Sequence, residues 1–542
     1  FLRQGYPPDM AVARRGLVHG GPRISVVVAS VADFADKTVR SVLDQTYANW
    51  ELLLCSNRDL SEDERSAFER DGRCKVAVDR GGSSLAELED AAVSRADGDF
   101  VAFLENGDLL EPDALEAFAR AAQDEPGAEF LYCDEDAVEG CRLCRPAIKP
   151  APNLAKIRAY DYVGHLQVMS ADLLRRIGPV PEILAPARAY HRTLRAFELT
   201  NHIVQVTRIL YHARPHGLDD DARTAGRRAL EAHLSRTGAS ATVAQGPVAG
   251  TYRVRYALPE TLPLVSVVIP SKDHLDLLRS CMDSILEKTT YPNFEVLIVE
   301  NNSERAETFS YYEKLVAQDE RVRVTTWKPE RDGQFNYSAI VNHGAREARG
   351  DLLLFLNNDT DVISPGWIEE MVAALAQRPE VAVVGAKLVF PDGLTQHAGM
   401  AFNPNGYFMH LGETTPADLI DHDYNIALPH DSTMVTGACQ LVRRSVFEEL
   451  GGYDEGLAVA FNDGDFCLRA RDAGYEVTYT PYAELHHKEF SSRGREATDK
   501  RHHVRFLREY ARLASRHADR FALGDPTLNP NFSQWDAQFR LR

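Results

Sequence analysis

Leu352-Leu353-Leu354-Phe355-Leu356-Asn357-Asn358-Asp359-Thr360-Asp361 is the stretch whose reading decides the fold. Its five apolar residues are too few to span a membrane and suit a strand buried on both faces. They run directly into two carboxylates, Asp359 and Asp361. In an open α/β sheet, ligands gather beyond the carboxyl ends of the parallel strands, so both acids are expected on the lip of a crevice. Hard oxygen ligands at that spacing suit Mg2+ or Mn2+ shared with a diphosphate. An isolated Asp-x-Asp is more often an Asx-rich turn before a helix, here the one that Pro365 would start, so the flanking pattern has to decide.

Outward from that stretch, Val265-Ser266-Val267-Val268-Ile269-Pro270 and Phe294-Glu295-Val296-Leu297-Ile298-Val299 read as buried strands with helical spacing between them. The first half has the same rhythm. Arg23 to Val28 reads as a strand, Lys37 to Gln45 as a helix, Trp50 to Cys55 as a strand and Leu85 to Arg95 as a helix. Then come a strand from Asp99 to Leu104, the loop Glu105-Asn106-Gly107-Asp108 and a helix opened by Pro112. Two α/β domains on one plan are therefore expected. The expected parts are an N-terminal extension (1–22), a first domain (23–215), a linker of helix plus strand (216–262), a second domain (263–494) and a C-terminal helix and tail (495–542). In the linker, Asp219-Asp220-Asp221 can cap a helix from about Ala222 to Arg236, and Thr251 to Tyr256 alternates as a strand. In the tail, Val504, Leu507, Ala511, Ala514, Ala518 and Phe521 fall on one helical face, while Arg508, Arg512, Arg516 and Arg520 recur every fourth residue. A solvated face is the ordinary reading of that basic stripe. The sharper one is contact with an anionic membrane surface or a lipid-diphosphate acceptor.

Composition narrows the class. A chain of 542 residues exceeds what one hydrophobic core usually supports, and 44% hydrophobic with 26% charged residues is ordinary globular material. A formal charge of −19 argues against a nucleic-acid binder. The eight cysteines are scattered through mostly apolar surroundings, as in a reducing compartment, and Cys141-Arg-Leu-Cys144 lacks the second pair that a zinc site needs. No apolar run approaches the ~20 residues of a transmembrane helix, so a cytoplasmic chain is expected, with peripheral contact at the inner face of the membrane. The sequence opens on Phe1, not Met, which leaves room for an upstream segment.

In the second half, Val267-Val268-Ile269-Pro270-Ser271-Lys272-Asp273, Val299-Glu300-Asn301-Asn302-Ser303, Asn342-His343-Gly344-Ala345, Gln396-His397-Ala398-Gly399 and Thr436-Gly437-Ala438-Cys439 occur in that order. Phe461-Asn462-Asp463-Gly464-Asp465-Phe466-Cys467-Leu468-Arg469, His486-His487-Lys488-Glu489-Phe490-Ser491-Ser492-Arg493-Gly494 and the tail from Asp525 to Phe532 follow. Together these resemble an inverting, nucleotide-sugar-dependent family 2 glycosyltransferase of the GT-A type, close to bacterial members of polysaccharide or O-antigen assembly that include rhamnosyltransferases. The resemblance implies an α/β fold of two tandem GT-A-like, Rossmann-like domains with a C-terminal helical tail. It also implies a metal-dependent hexosyl or deoxyhexosyl transferase. The donor would be a UDP- or dTDP-sugar and the acceptor a glycan or lipid-linked glycan. A divalent ion stabilises charge on the departing diphosphate; Asp361 is the first choice of ligand, with Asp359 nearer the ribose or sugar and His486 as the distant ligand, His487 the alternative. The acceptor hydroxyl must lose a proton, and Asp463 is implied as the base, with Asp465 beside it. Both also stand where they could cap a helix. Glu300, Asn301, Lys272 and Asn342 are candidates for the nucleotide, and Thr436, Gly437 and Ala438 for the acceptor side. The family usually carries a bulkier residue where Gly464 stands.

The first half resembles the same fold with its chemistry erased. Ser56-Asn57 replaces the expected acid after the second strand, and Glu105-Asn106-Gly107-Asp108 replaces the acidic cluster. Arg188-Ala189-Tyr190-His191, ending in Leu194-Arg195, stands where the base motif belongs, while Asp134-Glu135-Asp136, Gly164-His165 and Tyr211-His212 keep the family look. A platform that packs against its neighbour or binds glycan is expected. The competing readings are a two-site polymerase, a non-catalytic glycan-binding scaffold, and a nucleotidyltransferase. Ser271-Lys272-Asp273-His274 lacks the glycines which that last class commonly carries.

Overall fold

The computed structural model describes residues 2–3, 20–31, 34–68, 70–79, 81, 84–140, 142–214, 220–329, 335–421, 424–488, 500–536 and 538–541. The end of the His486 motif, Glu489–Gly494, and Cys141 lie outside the described residues. The chain forms two compact units. One runs to Val254 and takes in Asn529–Phe532; the other is Arg255–Leu528 with Ser533–Arg540.

In the first unit, β1 (Ile24–Ser30), β2 (Trp50–Ser56), β3 (Cys74–Val78) and β4 (Phe100–Phe103) are followed by β5 (Leu109–Leu110), β6 (Phe130–Glu139), β7 (Gln167–Ser170), α1 (Arg188–Leu199), β8 (Ile203–Ala213) and α2 (Asp220–Arg236). Its sheet contains the path β3-β2-β1-β4-β7-β6-β8-β5. The second unit contains β9 (Val265–Ser271), α3 (Leu275–Lys288), β10 (Phe294–Glu300), β11 (Val322–Thr326), β12 (Leu352–Leu356), β13 (Thr360–Val362), β14 (Val381–Val389), β15 (Met400–Phe402) and β16 (Phe408–His410). It ends with β17 (Cys439–Arg443), α4 (Asn462–Asp472), β18 (Glu476–His487) and α5 (Lys500–Arg516). Its sheet runs β11-β10-β9-β12-β17-β14-β18-β13, the same order with the same strand directions.

The apolar run Leu352–Leu356 lies in the middle of that sheet. Leu352, Leu354 and Leu356 pack with Val265, Val267, Ile269 and Trp367 on one face, while Leu353 and Phe355 pack with Val268, Leu297 and Phe447 on the other. A strand covered on both faces has no polar side to show, which is why it reads as an unbroken apolar run. The Asn342-His343-Gly344-Ala345 motif owes its glycine to packing, since a Cβ on Gly344 would lie 2.4 Å from Val268 and 2.8 Å from Val299.

The expected linker is not one. α2 packs on α1 inside the first unit, where Glu198 meets His233 at 2.9 Å and Arg236 at 2.8 Å. In the second unit α5 stands at the same place in the order of elements, held by Asp465 through Arg516 and His517. The repeat thus includes the helix after the last strand. The face expected to bury α5 is also wrong: Val504 and Leu507 are 47% and 46% exposed, whereas Glu509, Leu513 and His517 are buried. Three members of the Arg stripe are ion-paired rather than free, Arg512 with Asp454, Arg516 with Asp454 and Asp465, and Arg520 with Asp472. These arginines flank the buried face and meet acids of the same unit there. Among the described residues no helix is long and apolar enough to cross a membrane.

The returning segment Asn529–Phe532 is built into the first unit around Asp134, which is fully buried. Asn531 donates to its Oδ2 at 2.8 Å, Asn529 reaches both oxygens at 3.2 Å, and the Lys149 N–H donates at 2.9 Å. Burial pushes the Asp134 carboxyl up from 3.8 to about 6 despite these donors. Because the folded state holds the proton more tightly than the unfolded chain, this group's contribution is complete below about pH 4 and lost as pH rises through about 6. Asn531→Ala should lower the stability of the first unit by about 1–3 kcal/mol, the cost of stranding a buried acceptor. Asp134→Asn should flatten the decline between pH 4 and 6, both read by calorimetry.

Candidate active site

The carboxyl ends of β9, β10 and β12 open onto a cavity of about 320 Å³ lined by Pro270, Ser271, Lys272, Asn301, Phe335 and Asn358, among others. Of the candidates for nucleotide contact, Lys272 and Asn301 line it. Glu300 and Asn342 are committed elsewhere. Glu300 is buried and accepts from the Ser303 N–H and hydroxyl and from Tyr312 Oη, so it shapes the loop after β10. Asn342 donates to the Tyr453 carbonyl and to Glu455 and accepts from the Tyr453 N–H. It secures a turn and is not among the cavity's lining residues.

The Asp-x-Asp pair is split by a turn. Asn358 and Asp359 form it, the Thr360 hydroxyl donates to the Asn357 carbonyl at 2.8 Å, and the strand resumes as β13. The two acids are therefore not one pleat apart on a common face. Asp359, 5% exposed, has Oδ1 at 3.1 Å from His487 Nε2. The Nδ1 of that ring lies 2.8 Å from Gln396 Oε1, and Asn357 Nδ2 is 3.3 Å from its Nε2. Asp361 instead accepts from Ser280 of α3 at 2.7 Å and pairs with Lys488 at 2.6 Å. His486 stands across the ladder from Asp361, and its Nδ1 has no hydrogen-bond partner among the described residues. Sequence reasoning gave Gln396 no role and ranked His487 second. The visible signal was the turn-forming Asn-Asn before Asp359, which breaks pleat parity.

β17 pairs with β12, so the segment before it adjoins the end of β12: the Asn357 N–H donates to the Ala438 carbonyl at 3.0 Å. Tyr337 Oη reaches Asn357 Oδ1 and the Gly437 carbonyl, both at 3.3 Å. Gly437 N–H donates to Asp463 Oδ2 at 2.8 Å, and Gly464 N–H donates to Oδ1 at 2.8 Å. Thr436 N–H donates to the Nε2 of His397, a fully buried ring whose burial holds its pKa well below the usual range. Asp465, the partner expected beside Asp463, is 0% exposed and bound by Arg469, Arg516 and His517 at 2.7–3.0 Å. These partners hold its pKa below the usual carboxylate value against the opposing pull of burial. Two carboxylates on one helical turn thus have different surroundings, one at the surface of the site and one sealed behind it.

In the first unit the ladder register aligns Val27–Phe103 with Val268–Phe355, and Leu109 opposes His212 as Asp361 opposes His486. Counting along that register puts Gly107 where Asp359 stands, Leu109 where Asp361 stands and Ala213 where His487 stands. Ala189 is the second residue of α1 as Asp463 is of α4. The place of Gly107's side chain is filled by Arg214, whose guanidinium would be 2.3 Å from a Cβ there. Glu105 is tied to Arg188 and to His165.

Gly464 lies under the ring of Phe408, where a Cβ would come within 2.1 Å. Its smallness complements the β15–β16 hairpin. Gly464→Ala should cost about 1–3 kcal/mol by overpacking. Adding Phe408→Ala should recover part of that loss, a non-additivity that a double-mutant cycle in urea reads directly.

The sequence profile described as Glycosyl transferase family 2 matches residues 25–175 and 266–451. The chain is 41% identical over 498 residues to an O-antigen biosynthesis protein, RfbC, of Myxococcus xanthus, covering 88% of this chain and 38% of that protein. It is 37% identical over 544 residues to protein y4gI of Sinorhizobium fredii, covering 95% and 58%. The chain therefore spans well under two thirds of the length of either relative. Among solved structures it is similar to GalNAc-T7 with UDP, GalNAc and Mn2+, at TM-score 0.40 and 19% identity, covering 50% of this chain and 51% of that one.

Proposed function

The chain belongs to glycosyl transferase family 2, and we propose that its second unit transfers a sugar, with inversion, from a nucleoside-diphosphate donor to a glycan or lipid-linked glycan acceptor in cell-surface polysaccharide assembly. The observation that carries this reading is the convergence of two chemistries on the junction of β12 and β17. Asp359 and His487 stand on one side, Asp463 on Gly437 stands on the other, and Tyr337 spans between them.

The Asp359–His487 pair suits Mg2+ or Mn2+ better than Asp361 and His486 do. Asp359 Oδ1 and His487 Nε2, 3.1 Å apart, would hold the ion together. Among the described residues no group of three or more His, Cys, Asp or Glu could hold an ion. Two protein ligands fit the habit of Mg2+, which completes its shell from water and substrate phosphates. Bound there, the ion would stabilise negative charge on the departing diphosphate. Lys272 and Asn301 would receive the nucleotide in the cavity. The Gly437 and Gly464 N–H groups fix the Asp463 carboxylate. As the acceptor oxygen bonds to the anomeric carbon and the carbon–oxygen bond to the diphosphate breaks, the hydroxyl proton passes to Asp463. Asp361, neutralised by Lys488, would anchor that lysine beside the diphosphate.

The first unit supplies no second transferase in this reading, because Gly107, Leu109, Ala213 and Ala189 stand where the acting side chains would be. It serves as a platform. The donor is found by screening UDP-, dTDP- and GDP-sugars for Mn2+-dependent nucleotide release. With that donor, Asp463→Asn should lower kcat by about 10² or more with nucleotide affinity retained. Transfer at near wild-type rate would remove Asp463 from the role. His487→Ala and Asp359→Asn should each weaken Mn2+ binding about 10-fold or more, read by electron paramagnetic resonance with UDP present, whereas His486→Ala should not. If Asp463→Asn still adds sugar and a first-unit variant such as Glu105→Gln abolishes the addition, the platform reading fails.

A further inference from the structure

α5 lies along the segment that leads into the first turn of α4 and holds it at successive points. Asp454 accepts from Arg512 at 2.6 and 3.1 Å and from Arg516 at 2.7 Å. Glu509, 2% exposed, accepts from the Ala460 N–H at 2.7 Å and the Val459 N–H at 3.4 Å. Phe461, left-handed at φ 66°, packs against Phe506 and Tyr510 with centroids 5.1 and 6.1 Å apart. Asp465 receives Arg516 at 2.7 Å and His517 at 3.0 Å. Asp463 stands between the last two of these holds.

We propose that α5 is a brace for the general base, with Glu509, Arg516 and His517 acting as positioning residues that hold the Asp454–Asp465 segment so that Asp463 meets the acceptor. This rests on Asp463 being the base. Two physical facts carry it. Buried ion pairs are poor sources of stability, since apolar residues of similar volume do as well or better, so fully desolvated Asp465 with its Arg and His partners is better explained by the geometry it enforces. A phenylalanine in the left-handed region is strained and persists only where its surroundings over-determine it, and that strain sits two residues before Asp463. The stripe of arginines, whose ordinary reading from the sequence is a solvated face and whose sharper one is membrane or lipid contact, is in this proposal an internal device, spent on Asp454, Asp465 and Asp472.

The test uses the full chain with Arg516→Leu, His517→Leu and the conservative His517→Gln, whose amide can still donate to Asp465. Hydrogen exchange followed by mass spectrometry reads the brace independently of catalysis. With either leucine variant, exchange of peptides covering 454–467 should rise at least 10-fold, while peptides from β12 and β17 stay unchanged. With Mn2+ and the donor chosen in the screen above, kcat should fall at least 10-fold at unchanged UDP affinity, and His517→Gln should recover most of it. Unchanged exchange overturns the brace. Raised exchange with kcat within twofold of wild type overturns its role in positioning, and so does a fall in kcat matched by a loss of UDP affinity, which marks general loosening. Asp463→Asn measured alongside separates the two failures: if it too transfers at the wild-type rate, the base assignment has fallen. If it does not, only the brace has.

Discussion

The Thr360 hydroxyl on the Asn357 carbonyl closes a turn that the whole site depends on. Because the chain turns at Asn358 and Asp359, the strand does not continue extended and Asp359 and Asp361 do not share a face. Asp359 is turned toward His487 and Asp361 toward Ser280 and Lys488. One side-chain hydrogen bond, of the kind by which Ser and Thr compete with secondary structure, thus sorts two chemically identical carboxylates into different neighbourhoods. The Gln396 amide then sets which nitrogen of His487 faces Asp359.

The two units share one fold with different side chains at its crevice. Both keep the strand order, the strand directions and the helix after the last strand. Beyond the carboxyl ends of the strands the side chains differ: Gly107, Leu109, Ala189 and Ala213 stand at the places of Asp359, Asp361, Asp463 and His487. The vacated polar space is not left empty. Glu105, Glu89, Arg188 and Arg192 cross-link it, and the Arg192 guanidinium sits 3.8 Å over the Phe103 ring. Buried charges need partners, and once one is introduced the rest of the network follows.

The same rule explains α5. An arginine every fourth residue on an acidic protein invites an electrostatic partner outside the molecule, yet Asp454, Asp465 and Asp472 of the same unit are nearer and already placed. Aromatic residues complete the contact. Tyr407 stacks on Tyr510 at 4.6 Å, and Phe408 packs edge-on to Phe461 at 5.3 Å, so the β15–β16 hairpin, α4 and α5 form one joint around Gly464.

The amino-acid sequence by itself determined the layered α/β plan, its repetition and the family. Buried parallel strands must be apolar on both faces, and their ends must carry whatever chemistry the fold does, so both are written locally. Val267 and Phe355 could be placed in the core from pattern alone. Tertiary structure decided the rest. Whether Asp359 or Asp361 meets a histidine depends on a turn and on β18 arriving from more than a hundred residues away. That Glu300 and Asn342 are consumed by structural bonds depends on Tyr312 and on the Tyr453 turn. The inward face of α5 was misread because periodicity ranks side chains by hydrophobicity alone. A helix turns toward the surface that best satisfies it, and here that surface carried carboxylates.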